Sequence, residues 1–101
     1  MNPNLSSANK YKNITTNGLT STPGKSVLIA IVINTKGASS NTAKIYDDIT
    51  GEETPGQLVA TIDTTATIGR IEYGIFMSKG INIRTATGTP ADITVIYAET
   101  P

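Results

Sequence analysis

The chain has 101 residues, 38% of them hydrophobic, and carries 8 Lys and Arg residues against 8 Asp and Glu residues. This length suits a single domain, and the net charge of zero disfavours nucleic acid as the main partner because no excess of basic residues attracts a polyanion. Because the chain contains neither Cys nor His, it lacks the residues for disulfides, thiolate metal sites and the common nucleophile and base pairs of hydrolases.

The N-terminal residues 1–10 are rich in Asn and Ser and offer little besides Leu5 to bury. This composition predicts a flexible arm, followed by a single domain over residues 11–101. The arm lacks a cationic start followed by an apolar run, so we expect no secretory signal and synthesis in a cytoplasm. The longest apolar stretch, residues 27–33, is far shorter than the roughly 20 residues of a membrane-spanning helix, so no membrane association is expected.

Residues 11–20 alternate weakly between polar and apolar side chains, which predicts one or two short edge strands. Asn17 and Gly18 in this segment suit the positive φ angles of a tight turn. The next segment, residues 25–34, is dense in β-branched residues and lies between turn-forming residues, so a strand is favoured over a helix. Alternation predicts two apolar faces for this strand, one of Val27, Ile29, Ile31 and Ile33 and the other of Leu28, Ala30 and Val32.

Further strands are predicted at short, regular spacing, with clusters of turn-forming residues between them. They cover residues 43–49, 57–63, 68–77, 80–87 and 92–98. Apolar residues recur with period two, and no segment places them at helical spacing over three turns. In the last two segments this alternation predicts inward rows of Ile81, Ile83 and Thr85 and of Ile93, Val95 and Tyr97, with Asn82, Arg84, Asp92 and Thr94 facing outward. The chain is therefore predicted to be all-β, a single antiparallel β-sandwich (jelly-roll-like) of about seven or eight strands with an extended N-terminal arm.

Phe76, Met77 and Ile96 are expected on the faces opposite the main apolar rows of their strands. Exposed apolar side chains on a strand are typical of a contact between subunits. A second sheet or a covering loop would also bury them, so the residues alone leave both interpretations open.

The densest acidic segment contains Asp47, Asp48, Glu52 and Glu53, with Gly51 between the two pairs. Oxygen ligands of this kind suit Ca²⁺, but their spacing differs from that of an EF-hand loop. Two of the carboxylates would also match a glycosidase pair, although the chain has no Trp to stack a sugar. A charged connection between two strands is the favoured interpretation, and cation binding by this segment stays open.

Two other patterns are candidate chemical motifs. Ser78 and Lys79 are adjacent and fall in a predicted turn, which does not match the spacing of a Ser-x-x-Lys nucleophile. Gly69, Gly74 and Gly80 are too far apart for a phosphate-binding loop and are interpreted as turn or bulge positions. The sequence therefore predicts no catalytic, cofactor-binding or metal-binding residues, and no cofactor.

Residues 26–39, 43–47, 60–64 and 80–97 together resemble small virion proteins of tailed phages. In those proteins a G-(I/L)-x-(I/V)-x-T-A-T-G-T-x-A-D-(I/V)-T-V-x-Y segment closes the chain, and residues 80–97 follow that pattern. The similarity spans residues 25 to 98 in order, and the N-terminal arm lies outside it.

The resemblance implies a β-sandwich without an active site that occupies positions on a virus particle, often as a capsid decoration or cement protein. We therefore expect a non-enzymatic virion protein that binds the major capsid protein on the outer surface of the head, after assembly in the host cytoplasm. Self-association is expected as well, and the family implies a homotrimer. The alternative is a tail, fibre or head–tail connector component that acts as a binding module, and an enzyme using carboxylates alone is a third, disfavoured class.

Overall fold

The computed structural model describes residues 9–48, 57–66 and 68–99, which form eight strands and no helix. The strands are β1 (Lys10–Ile14), β2 (Gly18–Pro23), β3 (Ser26–Thr35), β4 (Thr42–Asp47), β5 (Gln57–Asp63), β6 (Gly69–Met77), β7 (Gly80–Ala86) and β8 (Asp92–Glu99). The predicted N-terminal arm, residues 1–10, lies outside the described residues apart from Asn9 and Lys10, and Lys10 begins β1.

The strands form two four-stranded antiparallel sheets that pack together. Sheet A has the order β1-β8-β3-β6, and sheet B has the order β2-β7-β4-β5. Each strand of the first half pairs with its counterpart in the second half: β1 with β8, β2 with β7, β3 with β6 and β4 with β5. Because successive pairs alternate between the sheets, the chain is a double hairpin wound into a sandwich, which is the jelly-roll arrangement. The predicted fold class is confirmed.

The core lies between the sheets and consists mainly of isoleucine side chains from inward-facing positions. Leu28, Ile31 and Ile33 of β3 face Ile81 and Ile83 of β7, and each is at most 2% exposed. Burying one such side chain stabilises the fold by about 1.5–3 kcal/mol. The predicted inward rows of β7 and β8 are confirmed, since alternate residues along both strands are buried: Ile81, Ile83, Thr85, Ile93, Val95 and Tyr97.

Strand β3 departs from the strict alternation predicted for it. Its register against β8 shifts between Leu28 and Ala30, so Ile29 is an extra residue at a β-bulge. The bulge changes the face on which the following residues lie, and the inward row is therefore Leu28, Ile31 and Ile33. The predicted row that joined Ile29 to Ile31 was wrong, because a bulge depends on pairing with neighbouring strands rather than on local composition.

The expectation for Met77 was also wrong. Met77 is 0% exposed and belongs to the core cluster, in the same inward row of β6 as the half-buried Ile71, Tyr73 and Ile75. Phe76 lies on the opposite face and is 55% exposed, as predicted.

One end of the sandwich is held by the buried side chain of Asn41, which precedes β4 and is 0% exposed. Its Nδ2 donates hydrogen bonds to Asn17 Oδ1 at 2.8 Å and to the Thr87 carbonyl at 2.9 Å. Its Oδ1 accepts hydrogen bonds from the Thr64 hydroxyl and from the Ala91 amide. The Asn41 side chain therefore links its own β3–β4 connection to the β1–β2, β5–β6 and β7–β8 connections.

Candidate interaction surfaces

Asp47, the first residue of the predicted acidic segment, has a structural role at the end of β4. Its Oδ2 accepts hydrogen bonds from the Ser78 amide and hydroxyl, both at 3.0 Å, and its Oδ1 accepts from the amides of Lys79 at 2.9 Å and Gly80 at 3.3 Å. Partial burial alone would raise the pKa of Asp47, but these donors together hold the pKa below its ordinary value. The carboxylate is therefore committed to the β6–β7 turn.

The rest of that segment is only partly described. Asp48 is 7% exposed, whereas Glu52 and Glu53 lie outside the described residues. Within the described part of the chain, no group of three or more acidic side chains is placed to hold a metal ion. Ser78 and Lys79 form the turn that Asp47 binds, in agreement with their predicted position.

The outer face of sheet A carries a continuous row of apolar side chains, which we call the apolar strip: Tyr11, Val27, Phe76, Ile96 and Ala98. The strip crosses all four strands, because Tyr11 of β1 lies opposite Ile96 of β8 and Val27 of β3 lies opposite both Ala98 and Phe76. Tyr11 is 69% exposed and Phe76 is 55% exposed, so both ends of the strip face solvent. Ile96, in its middle, is 8% exposed.

The opposite end of the same face is polar. Asp92 Oδ1 accepts hydrogen bonds from Asn13 Nδ2 at 2.7 Å and from Asn34 Nδ2 at 3.2 Å. Asn34 Nδ2 also donates to the Thr94 hydroxyl at 2.9 Å. The hydrogen bond from Asn13 has the larger effect in lowering the pKa of the Asp92 carboxyl group, and the bond from Asn34 lowers it further. The apolar strip therefore covers only one half of this face, and the polar side chains of Asn13, Asn34, Asp92 and Thr94 occupy the other half.

The outer face of sheet B contains a cavity of about 510 Å³. Arg84 of β7 lies at its centre, directly opposite Leu19 of β2 on one side and Lys44 of β4 on the other. Tyr46 and Thr42, from the same strand as Lys44, also line the cavity. No carboxylate is among the described residues that line this cavity. The lining combines two cationic side chains with the aromatic Tyr46 and the aliphatic Leu19.

Two polar side chains of β7 beside this cavity have buried atoms without a hydrogen-bond partner among the described residues. These atoms are Arg84 Nε and both Oδ1 and Nδ2 of Asn82, which lies two residues earlier on the same outer face and is 0% exposed. Leaving a buried polar group without a partner costs about 1–3 kcal/mol. The predicted outward direction of Asn82 and Arg84 is confirmed, but the burial of Asn82 was not foreseen.

No protein-family model matches the chain, and no curated protein shows significant sequence similarity to it. The described residues contain no helix that is long and apolar enough to cross a membrane.

The sequence did not indicate the cavity on sheet B as a site. Alternation could place Arg84 on the outer face of its strand, but Lys44 and Leu19 come from segments that are distant in the sequence. Their meeting depends on the cross-strand register of β2, β7 and β4, which a local pattern does not contain.

Proposed function

We propose that this protein is a non-enzymatic structural component of a tailed-phage particle, most specifically a capsid decoration or cement protein. In this role it binds the major capsid protein on the outer surface of the head and associates with copies of itself. The proposal is supported by the resemblance of residues 25–98 to small virion proteins and by the eight-stranded jelly roll, an architecture common in viral capsid proteins.

The observation that carries the proposal is the apolar strip on sheet A. Tyr11 and Phe76 are large and mostly exposed, and the strip joins them across the full width of the sheet. Burying large exposed apolar side chains such as Tyr11 and Phe76 against another surface is favourable by about 25 cal/mol per Å² of apolar area. A protein surface that packs against sheet A would provide this burial.

Many weak contacts suit a cement protein better than one tight contact. A capsid presents the same binding surface at every equivalent position, and linked subunits bind several of these positions at once, which raises the overall affinity without any new type of contact. A homotrimer, which the resemblance implies, would place three copies of the strip around one axis.

The described acidic residues give little support to an enzymatic role. Asp47 is bound to three backbone amides and a hydroxyl, and its pKa is held low, whereas a general acid needs a raised pKa. The carboxylate therefore suits a structural role in the β6–β7 turn.

A tail, fibre or connector component is the second candidate, and the cavity on sheet B favours it because recognition modules present such concave sites. Copy number separates the two candidates. A decoration protein is present in proportion to the major capsid protein, whereas tail and fibre proteins are far fewer. Quantitative mass spectrometry of purified particles measures this ratio directly.

Reconstitution tests the proposed role of the strip. Capsids that lack this protein would be mixed with the purified chain, and their resistance to heat or osmotic shock would be compared before and after addition. We expect the wild-type chain to bind and to raise this resistance, and the Phe76→Ser variant to do so poorly. Leu58→Ser is the control, because Leu58 is 49% exposed but lies on sheet B. Equal binding by both variants would contradict the role of the strip.

A further inference from the structure

The cavity on sheet B brings two cationic side chains together, and none of the described residues that line it is a neutralising carboxylate. Lys44 and Arg84 are direct cross-strand neighbours on adjacent strands. Like charges opposite each other on a sheet destabilise the pairing. Within the described part of the chain the ion pairs are Lys10 with Glu99 and Arg70 with Glu72, so neither cavity cation belongs to one.

The unpaired polar groups beside the cavity add a second, independent observation. Arg84 lines the cavity, and its buried Nε donor has no hydrogen-bond partner in the part of the chain that the structure describes. Asn82, on the same face of β7, is fully buried, and its amide is likewise without a partner there. Buried polar groups in folded proteins are nearly always hydrogen-bonded, so these unpaired groups need an explanation, and a ligand acceptor that binds the Arg84 side chain from the cavity supplies one.

The composition of the lining specifies the ligand further. The planar guanidinium of Arg84 matches the two oxygens of a carboxylate, and Lys44 adds a second positive charge beside it. Leu19, 41% exposed, and Tyr46 provide apolar walls, and the hydroxyl groups of Thr42 and Thr87 are available for hydrogen bonds. A long polyanion does not fit this arrangement, because two cations on a chain of zero net charge give little long-range attraction.

We propose that the outer face of sheet B binds a carboxylate-bearing ligand at Arg84 and Lys44, with the body of the ligand packed against Leu19 and Tyr46. A cavity of about 510 Å³ accommodates one acidic sugar residue or one acidic amino-acid side chain with its backbone. The site is separate from the apolar strip, which lies on the other sheet, and it does not depend on the proposed role of that strip.

Titration followed by two-dimensional NMR of the ¹⁵N-labelled chain tests the site. The probes are glucuronate, as an acidic sugar, and N-acetylglutamate N-methylamide, as an acidic side chain. Their neutral counterparts are glucose and N-acetylglutamine N-methylamide, and inorganic phosphate is a further probe. We expect saturable shifts of the Leu19, Lys44 and Arg84 amide signals with at least one carboxylate probe and none with its neutral counterpart. The probe that binds more tightly identifies the source of the carboxylate.

Variants connect the binding to the two cations. Arg84→Gln and Lys44→Gln should each weaken carboxylate binding by about tenfold or more, the usual effect of removing a charged hydrogen-bond donor. Lys36→Gln, an exposed lysine outside the cavity lining, should leave it unchanged. Lys44 is also exposed, so its variant is expected to fold even where Arg84→Gln does not.

Three results would overturn the proposal. These are the absence of saturable binding by both carboxylates, equal binding of the neutral counterparts, and unchanged affinity in a folded Lys44→Gln variant. Phosphate binding as tight as that of the carboxylates would contradict the assignment of the carboxylate as the recognised group.

Discussion

At the scale of single residues, Asp47 links the end of β4 to the turn between β6 and β7. Because its carboxylate accepts backbone hydrogen bonds at both oxygens, Asp47→Asn should lower the free energy of unfolding at neutral pH by about 1–2 kcal/mol, the typical effect of losing a side-chain cap. Urea denaturation measures this difference. Glu72→Gln is the control, since Glu72 belongs to an exposed ion pair and its loss should change stability by less than about 1 kcal/mol.

The same contacts predict a pH dependence. The pKa of Asp47 is lower in the folded chain than in the unfolded chain, where it is about 3.9. Its contribution is therefore complete above the unfolded pKa and is lost as the pH falls through the folded value. The stability difference between wild type and Asp47→Asn should shrink on acidification below about pH 4. A difference that stays constant down to complete protonation would contradict the assigned contacts.

Asn41 is the second residue on which the fold depends. Asn41→Ala removes the bonds to Asn17, Thr87 and Thr64 and leaves buried groups unpaired, so we expect a loss of about 2–3 kcal/mol in the free energy of unfolding. Thr35→Ala, at the exposed end of β3, should change it by less than about 0.5 kcal/mol. Equal effects of the two substitutions in thermal or urea unfolding would show that Asn41 does not have this role.

Residue roles of this kind were only partly predictable. The acidic segment was identified from composition, and its favoured interpretation was a connection between strands; Asp47 lies at such a position. The partners of Asp47 are 31 to 33 residues away in the sequence, however, and no local pattern contains them. The same limitation applies to Lys44 and Arg84, whose proximity is a consequence of sheet register.

At the scale of strands and turns, two glycines have nearly the same backbone conformation in different surroundings. Gly88 has φ of 63° and Gly74 has φ of 67°. A Cβ on Gly88 would lie 2.3 Å from the Ala38 carbonyl oxygen and 2.4 Å from that of Ser39, whereas a Cβ on Gly74 would have no atom of the described residues within 4 Å. Comparing alanine substitutions at these two positions therefore distinguishes the energetic cost of steric crowding from the cost of backbone strain.

We expect Gly74→Ala to cost about 1–2 kcal/mol, because a left-handed conformation disfavours any residue with a Cβ. Gly88→Ala should cost about 1–3 kcal/mol more, since its neighbours are backbone atoms that cannot rotate away. Thermal unfolding of both variants measures the difference. Equal melting temperatures would contradict the close packing of the 88 turn against residues 38 and 39.

The strands themselves were largely predictable, because alternation and turn residues are local signals. The predicted strand over residues 57–63 coincides with β5, and those over 68–77 and 92–98 differ from β6 and β8 by one residue at an end. The bulge at Ile29 was not predictable, because the irregularity exists only in the pairing of β3 with its neighbours β6 and β8. Met77 was predictable from alternation alone, because it continues the inward row of Ile71, Tyr73 and Ile75 on β6.

At the scale of the whole molecule, the apolar strip predicts self-association. Phe76→Ser and Tyr11→Ser should each shift the chain toward monomer, because each removes a large exposed apolar side chain from the contact surface. Sedimentation velocity over a range of concentrations measures the shift, with Leu58→Ser on sheet B as the matched control. A wild-type chain that stays monomeric at every concentration, or an oligomer indifferent to both substitutions, would contradict this use of the strip.

The central claim is that the chain decorates the capsid, and cryo-electron microscopy of the native phage particle tests it most directly. We predict density for the jelly roll at repeated positions on the outer shell, around local symmetry axes, with sheet A against a neighbouring copy or the major capsid protein. Density confined to the portal, tail or fibres would contradict the claim and favour a connector or receptor-binding role.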